Sequence, residues 1–366
     1  MYQPLCNLGH TPFLIAITLE GRWFLQKDKE IETTIKTDYP LTVVPGKGIF
    51  CNKEYLPLDV AFAVTHGFGG EDGNLQGLCL LANLPLCGCN TLSSAIGMHK
   101  DIAAKLFTLE GIPTVPSLDL SIHDIQWLEG KADASPSWMS LQSDTINTTN
   151  TSTTIDRWTE ACLLLQKKLG TALFIKPEDS GSSLGVAALR TPDGDSFKQA
   201  VLEAKKHSAC VLVQALIEPM DELECALLEK DDGTLLAAGP ARVVDPGKQS
   251  NHFLSYAYKY SQVDSAYLQL PSSYPEKIEE HIRLYAKQAF KAIGGEGYAR
   301  VDFFVSGDKI YLNEINTSPG MTSKSHFPLL MAHEGYSMEQ LLQTLIDHAI
   351  QRKKEENLRT YRPPGA

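Results

Sequence analysis

The sequence predicts an α/β protein laid out in three regions, and two observations carry that prediction. Short apolar runs alternate with glycine-punctuated loops and helical patterns, as expected of strands crossed by helices. Toward the end of the chain, strand-like runs at residues 298–305 and 309–315 flank Ser306-Gly307-Asp308, a hairpin signature. The 366 residues suffice for two or three packed lobes rather than one small domain.

In chain order, residues 13–18 (FLIAIT) read as a buried strand ending at the turn Glu20-Gly21. Residues 59–65 (DVAFAVT) form a second strand. It runs into a glycine-rich loop at 66–70, a helix over 74–82 and a short strand at 84–86. These elements predict an open α/β lobe over residues 1–97. In the second region, 98–212, a helix over 100–110 stops at Gly111 and Pro113. Residues 131–154 are rich in Ser, Thr, Asn and Asp without periodicity, which predicts an inserted surface loop. Strands follow at 172–176, 186–189 and 211–214. The third region, 213–366, holds paired strands at 222–229 and 235–239, an amphipathic helix over 278–293, the hairpin, and a closing helix over 338–353.

Composition narrows the function classes. Apolar residues make up 43% and charged residues 21%, ordinary for a soluble globular chain. A formal net charge of −11 argues against a nucleic-acid-coating role, which needs Lys and Arg in excess. The eight cysteines contain no paired C-x-x-C arrangement, so they read as reduced thiols rather than a zinc site. No apolar run reaches membrane-spanning length, and the first ten residues do not read as a signal peptide. The expectation is a cytoplasmic protein with no membrane partner.

The strongest constellation is the run from 300 to 321, RVDFFVSGDKIYLNEINTSPGM. Residues two apart on a strand share a face. Arg300 therefore points with Asp302, and Glu314 with Asn316, and a hairpin brings the pairs together. Three oxygen-bearing side chains beside one arginine suit a hard cation holding nucleotide phosphates. A surface ion pair is the competing reading. However, Phe303, Phe304, Ile310, Tyr311 and Ile315 make the hairpin part of a core, and acids facing inward need a reason. Lys176 ends a strand and precedes a Ser- and Gly-rich loop whose amides and hydroxyls can wrap phosphates, although a plain hairpin loop fits that stretch equally well by itself. His66 opens a loop before a helix N-terminus, a place that favours anions, although a structural βα turn with acids near the helix start fits it equally well by itself. Residues 253–260 (FLSYAYKY) read as a core stripe or as a lid.

Together, HGFGGEDGNLQG, Met98-His99-Lys100, IKPEDSGSSLGV, SYAYKY and RVDFF…LNEINTSPGMT resemble the D-alanine–D-alanine ligases of the ATP-grasp fold, over residues 15–345. The resemblance implies ATP-dependent joining of two D-alanines through an acyl phosphate, for peptidoglycan synthesis. It implies that Lys100 and Lys176 contact ATP phosphates, that the backbone near Ala215 and Ile217 holds adenine, and that Glu222 holds the ribose. Asp302, Glu314 and Asn316 would bind two Mg²⁺ or Mn²⁺. Arg300 and the Gly320 amide would stabilise the tetrahedral oxyanion. His66 would lie near the first D-alanine, and Ser325 with His326 would receive the carboxylate of the second. Lys259 would reach the γ-phosphate, and Ser182 and Tyr260 would close a link over the site. The resemblance also implies a homodimer through the first lobe.

One departure stands out. Family members begin with a strand and a Gly-Gly-x-Ser-x-Glu loop. This sequence has neither, and residues 1–9 read as the tail of the helix that follows them. The expectation is therefore a first lobe that lacks its opening strand and loop. Two alternatives stay open on sequence grounds: a poorly active or non-catalytic nucleotide-binding relative, and an ATP-grasp ligase with another amino-acid substrate.

Overall fold

The computed structural model describes residues 1–27, 34–139, 155–179, 184–230, 232–244 and 267–358. Helix α1 (Tyr2–Asn7) leads into five short strands, β1 (Leu14–Ile17), β2 (Trp23–Gln26), β3 (Pro40–Val44), β4 (Gly48–Cys51) and β5 (Glu54–Leu56). They pair in sequence order as an antiparallel meander. Residues 13–18, expected as a buried strand, thus supply an edge strand that is only half-buried along its length. The expected alternation begins after the meander. Strands β6 (Ala61–Phe62) and β7 (Leu86–Cys87) pair in parallel around helix α2 (Asn74–Leu81), a small βαβ unit.

Helices α3 (Thr91–Met98) and α4 (Lys100–Leu109) are separated only by His99, whose extended backbone breaks the helical run. Then come β8 (Ser117–Leu120), α5 (Ile122–Leu128), α6 (Arg157–Leu169), β9 (Leu173–Pro177), β10 (Ala187–Leu189), α7 (Gly194–Ala204) and β11 (Val211–Ala215). The four strands form an antiparallel sheet in the order β10-β9-β11-β8. Local chemistry sets the helix starts: Ser121 with Asp124 and Asp193 with Ser196 form capping boxes, and the Asp156 side chain accepts from the amides of Trp158 and Thr159. Residues 140–154 of the expected surface loop lie outside the described residues. Its start does not behave as a surface loop, because Trp138 is buried in one cluster with Trp127 and Trp158.

The last sheet positions the site. Strands β12 (Asp221–Glu229), β13 (Leu235–Val244) and β14 (Tyr267–Gln269) precede helix α8 (Glu276–Ala292), and the hairpin β15 (Tyr298–Ser306) and β16 (Lys309–Asn316) follows it. Helices α9 (His326–His333) and α10 (Met338–Leu358) close the described chain. The strand order is β14-β13-β12-β15-β16, antiparallel throughout. Odd-numbered Leu223, Cys225, Leu227, Val301, Phe303 and Val305 face α8, whose buried stripe is Ile278, Ile282, Ala286, Ala289 and Phe290. The other face is apolar at one end only, where Ala226, Leu228 and Tyr298 pack with Phe327, Leu330 and Leu342 of α9 and α10. Each Leu, Ile, Val and Phe among them contributes about 1.5–3 kcal/mol on burial. A one-residue slip would turn all of them outward, so the register is fixed. That register leaves the remaining end of the second face to Glu222, Glu224, Arg300 and Asp302. No described helix is long and apolar enough to cross a membrane.

Candidate active site

The hairpin brings together the two pairs expected of it. Arg300 lies opposite Asn316, and Asp302 opposite Glu314. Arg300 donates from Nε and Nη2 to the two carboxylate oxygens of Asp302, at 2.7 and 2.8 Å, a bidentate fork. The Asn316 side-chain amide donates to Asp302 Oδ2 at 3.0 Å. Asp302 is 2% exposed. Burial pushes its carboxyl up, the Arg300 guanidinium pulls it back down, and the Glu224 and Glu314 charges push again, leaving it at about 6. Further negative charge is costly here and a cation is welcome.

Strict alternation does not account for all of β16. The pairing shifts between Asp302↔Glu314 and Phe303↔Leu312, so Asn313 is an extra residue on that strand. The bulge returns Leu312 to the core and aims Asn313 at the neighbouring sheet, where its side-chain oxygen accepts from Lys176 Nζ at 3.3 Å. Lys176, at the end of β9, is buried. Burial pulls its ammonium down to about 8. The Glu314 charge resists that pull, and the like charge of Lys100 adds to it. Lys100 Nζ lies 3.9 Å from Glu314 Oε2 and donates to the Glu178 carbonyl at 3.3 Å. The two lysines expected to contact phosphate thus converge on Glu314, one of the expected metal ligands.

His66 also reaches this floor. Its Nδ1 is 3.5 Å from Glu71 Oε1, and it titrates above the usual imidazole range. The Glu71 hydrogen bond is the main cause, burial opposes it, and the Ser318 backbone adds to it. The turn after β16 is tight: a Cβ on Gly320 would sit 2.7 Å from Ser325 Oγ. Ser325 precedes α9 without capping it through its side chain, and its hydroxyl instead meets the Thr322 amide at 3.1 Å and the Thr322 hydroxyl at 2.8 Å. Gly320, Ser325 and His326 therefore share one corner of the site.

Glu222 stands on the same face of β12, and the carboxylate oxygens of Glu222, Glu224 and Asp302 lie within 4.8 Å of one another. The residue expected at the ribose is thus beside one expected at the metal. Ala215 closes β11, with its amide held by the Pro116 carbonyl at 2.9 Å, and Ile217 lies two residues on in the link to β12. Ser182, Lys259 and Tyr260 fall outside the described residues, so the expected lid has no geometry to report.

Sequence reasoning missed Glu224. It is 4% exposed, and its Oε2 lies 2.8 Å from His326 Nδ1 and 3.3 Å from Arg300 Nε. Burial works to lower the His326 pKa, but the hydrogen bond and charge of Glu224 outweigh it and raise the net value. The signal in the sequence was slight: an acid two residues after Glu222, on the same strand face.

The chain is similar to known proteins in both sequence and fold. The family model described as D-ala D-ala ligase C-terminus matches residues 138–347, and the one described as D-ala D-ala ligase N-terminus matches residues 2–89. The chain is 36% identical over 313 residues to a D-alanine–D-alanine ligase of Acetivibrio thermocellus, covering 85% of this chain and 72% of that one. It is 33% identical over 353 residues to one of Bradyrhizobium sp. strain BTAi1, covering 93% and 86%. Among solved structures, the D-alanine-D-alanine ligase of Coxiella burnetii superposes with a TM-score of 0.70 at 28% identity, over 94% of this chain and 86% of that one. The VanG D-Ala:D-Ser ligase of Enterococcus faecalis gives 0.73 at 28%, over 95% and 94%. The α/β architecture is the ATP-grasp fold of these proteins. The chain belongs to the D-alanine–D-alanine ligase family.

Proposed function

We propose that the face shared by β12, β15 and β16 carries out this family's ATP-dependent joining of two D-alanines to D-alanyl-D-alanine, the dipeptide used in peptidoglycan synthesis. The observation that carries the reading is the convergence of Arg300, Asp302, Glu314 and Asn316 with Lys100 and Lys176. In the first step a carboxylate oxygen of one D-alanine attacks the γ-phosphorus. The bond to the bridging oxygen breaks, and ADP leaves. In the second, the amine of the other D-alanine attacks the acyl carbon, loses a proton, and phosphate departs. Both steps move negative charge, so positioning and electrostatic stabilisation dominate.

Each residue has a place in that chemistry. Lys100 and Lys176 receive the phosphates; a depressed lysine pKa is restored when a phosphate arrives beside it. Backbone groups at Ala215 and Ile217 hold adenine, and Glu222 holds the ribose. Arg300 and the Gly320 amide face the oxyanion of the second step. His66 lies near the first D-alanine, while Ser325 and His326 receive the carboxylate of the second. To Lys259 falls contact with the γ-phosphate, and to Ser182 and Tyr260 a closing link. The oxygen donors Asp302, Glu314 and Asn316 fit hard divalent cations, two Mg²⁺ or Mn²⁺, and the raised Asp302 carboxyl is a buried group that such a cation relieves. When bound, the cations neutralise phosphate charge. We infer a cytoplasmic homodimer that engages neither nucleic acid nor membrane.

The test is phosphate release and dipeptide formation from ATP with D-alanine. The expected result is release that depends on D-alanine and collapses in Glu314→Ala. Release independent of D-alanine, or none at all, would sink the reading.

A further inference from the structure

Glu224 has no part in the chemistry so far, yet it is the most enclosed acid near Arg300 after Asp302. A carboxylate at 4% exposure is costly unless paired. It lies opposite Asp302 in the ladder and opposite Ala241 on its other side, so neither strand neighbour gives it a counter-charge. Two basic groups on separate segments reach it, Arg300 of β15 at 3.3 Å and the His326 imidazole at the start of α9 at 2.8 Å, and both meet the same oxygen.

The two contacts are unequal in consequence. Arg300 has a second carboxylate partner, since its fork to Asp302 does not involve Glu224. For the His326 ring, Glu224 is the hydrogen-bonded carboxylate: Nδ1–H donates to it, and in the protonated ring Nε2–H is the one remaining donor. Ser325, at the same helix start, has its hydroxyl tied to Thr322. Resting on the ligase reading above, we propose that Glu224 is a positioning residue that orients His326 to hold the carboxylate of the amine-donating D-alanine, and so sets the affinity of the second amino-acid site. Removing its charge frees the ring to turn, while the neighbouring Asp302 keeps its fork to Arg300 and the Asn316 hydrogen bond, and saturating Mg²⁺ keeps the metal side of the site filled.

The experiment uses the full chain. Phosphate release is followed against D-alanine concentration at saturating ATP and Mg²⁺, and the curve is resolved into first-site and second-site constants. Glu224→Gln, nearly isosteric, should raise the second-site constant about tenfold or more, the scale of one charge-assisted hydrogen bond. The first-site constant and the rate at saturation should stay within about threefold. His326→Gln should give the same rise, and the double variant no further rise, since both break one contact. If Glu224→Gln does not fold, Glu224→Asp, which keeps the charge but falls one methylene short of the ring, takes its place with the same expected rise. An unchanged second-site constant, additive rises in the double variant, or equal damage to both constants overturns the proposal. A wild-type chain inactive on D-alanine would instead overturn the ligase reading and carry this one down with it. Activity in the wild type with an unmoved second-site constant overturns only the role of Glu224.

Discussion

Replacing Arg300 with lysine keeps a positive charge on β15 and removes the fork. In the native site Nε and Nη2 are both committed to Asp302, at 2.7 and 2.8 Å, which fixes the plane of the guanidinium and leaves Nη1 outside that fork, as the oxyanion role proposed for Arg300 requires. A lysine ammonium is one donor centre on a flexible stem. It can stay with the Asp302 and Glu224 carboxylates or reach for the oxyanion, but its single nitrogen cannot span both. The carboxylates are in place before any substrate arrives and compete for it. Losing one preorganised oxyanion donor costs about 10²–10³ in rate, or roughly 2.7–4 kcal/mol. Arg300→Lys should therefore slow D-alanine-dependent phosphate release by about that factor at saturating substrates. The apparent KM for ATP should move by less than about threefold, because Lys100 and Lys176 are untouched. Thermal melting of both proteins checks that the charge has preserved the fold. A variant within tenfold of wild type would refute the assignment of Arg300 to the oxyanion.

Four further outcomes are expected. Gly320→Ala places a Cβ 2.7 Å from Ser325 Oγ, so the serine must move, and D-alanine saturation should need about tenfold more substrate; unchanged saturation would show that this corner does not hold the amino acid. Mg²⁺ should raise the melting temperature of wild type but not of Asp302→Asn/Glu314→Gln, and equal rises would remove those residues from the metal site. Asp119, whose Oδ1 is buried and unpartnered, is pushed up to about 7 by burial and then by the charges of Glu178 and Asp101. Since its folded pKa exceeds the unfolded value, stability falls as pH rises from about 4 to about 7; the melting temperature of Asp119→Asn relative to wild type should be more favourable at pH 8 than at pH 5, and a constant difference would refute the shift. Trp138→Ala should cost about 3–5 kcal/mol in unfolding experiments, whereas single substitutions at 140–154 should leave rate and stability nearly unchanged; a Trp138 variant as stable as wild type would overturn its place in the core.

These predictions sort by how legible their residues were in the sequence. Period two alone places Arg300 with Asp302 and Glu314 with Asn316, because both faces of the hairpin carry strong and opposite patterning. Helix α8 was equally plain, its buried residues recurring at 278, 282, 286 and 289. The meander of β1 to β5 was not. Its strands have three to five residues and bury at most one residue each, so alternation had too few positions to register. Trp138 was misread for a related reason: a 3₁₀ turn of three residues has no period, and its polar neighbours dominate the composition.

The site residues that escaped notice share a different cause. Asn313 reaches Lys176 only because the hairpin carries a bulge, and a bulge is a property of two strands in register rather than of one string of residues. Glu224 looked like one more acid on a strand already supplied with Glu222. Its meaning depends on His326, 102 positions later, folding back beside β12 when α9 packs over Ala226 and Tyr298. The apolar end of that sheet face thus decides the chemistry at the polar end. Packing of Phe327 and Leu330 draws the start of α9 down onto the strands, and the first residue of the helix, His326, is delivered to Glu224. On this argument a cavity made deep in that packing, such as Phe327→Ala, should weaken the second amino-acid site more than the ATP site, although Phe327 belongs to neither.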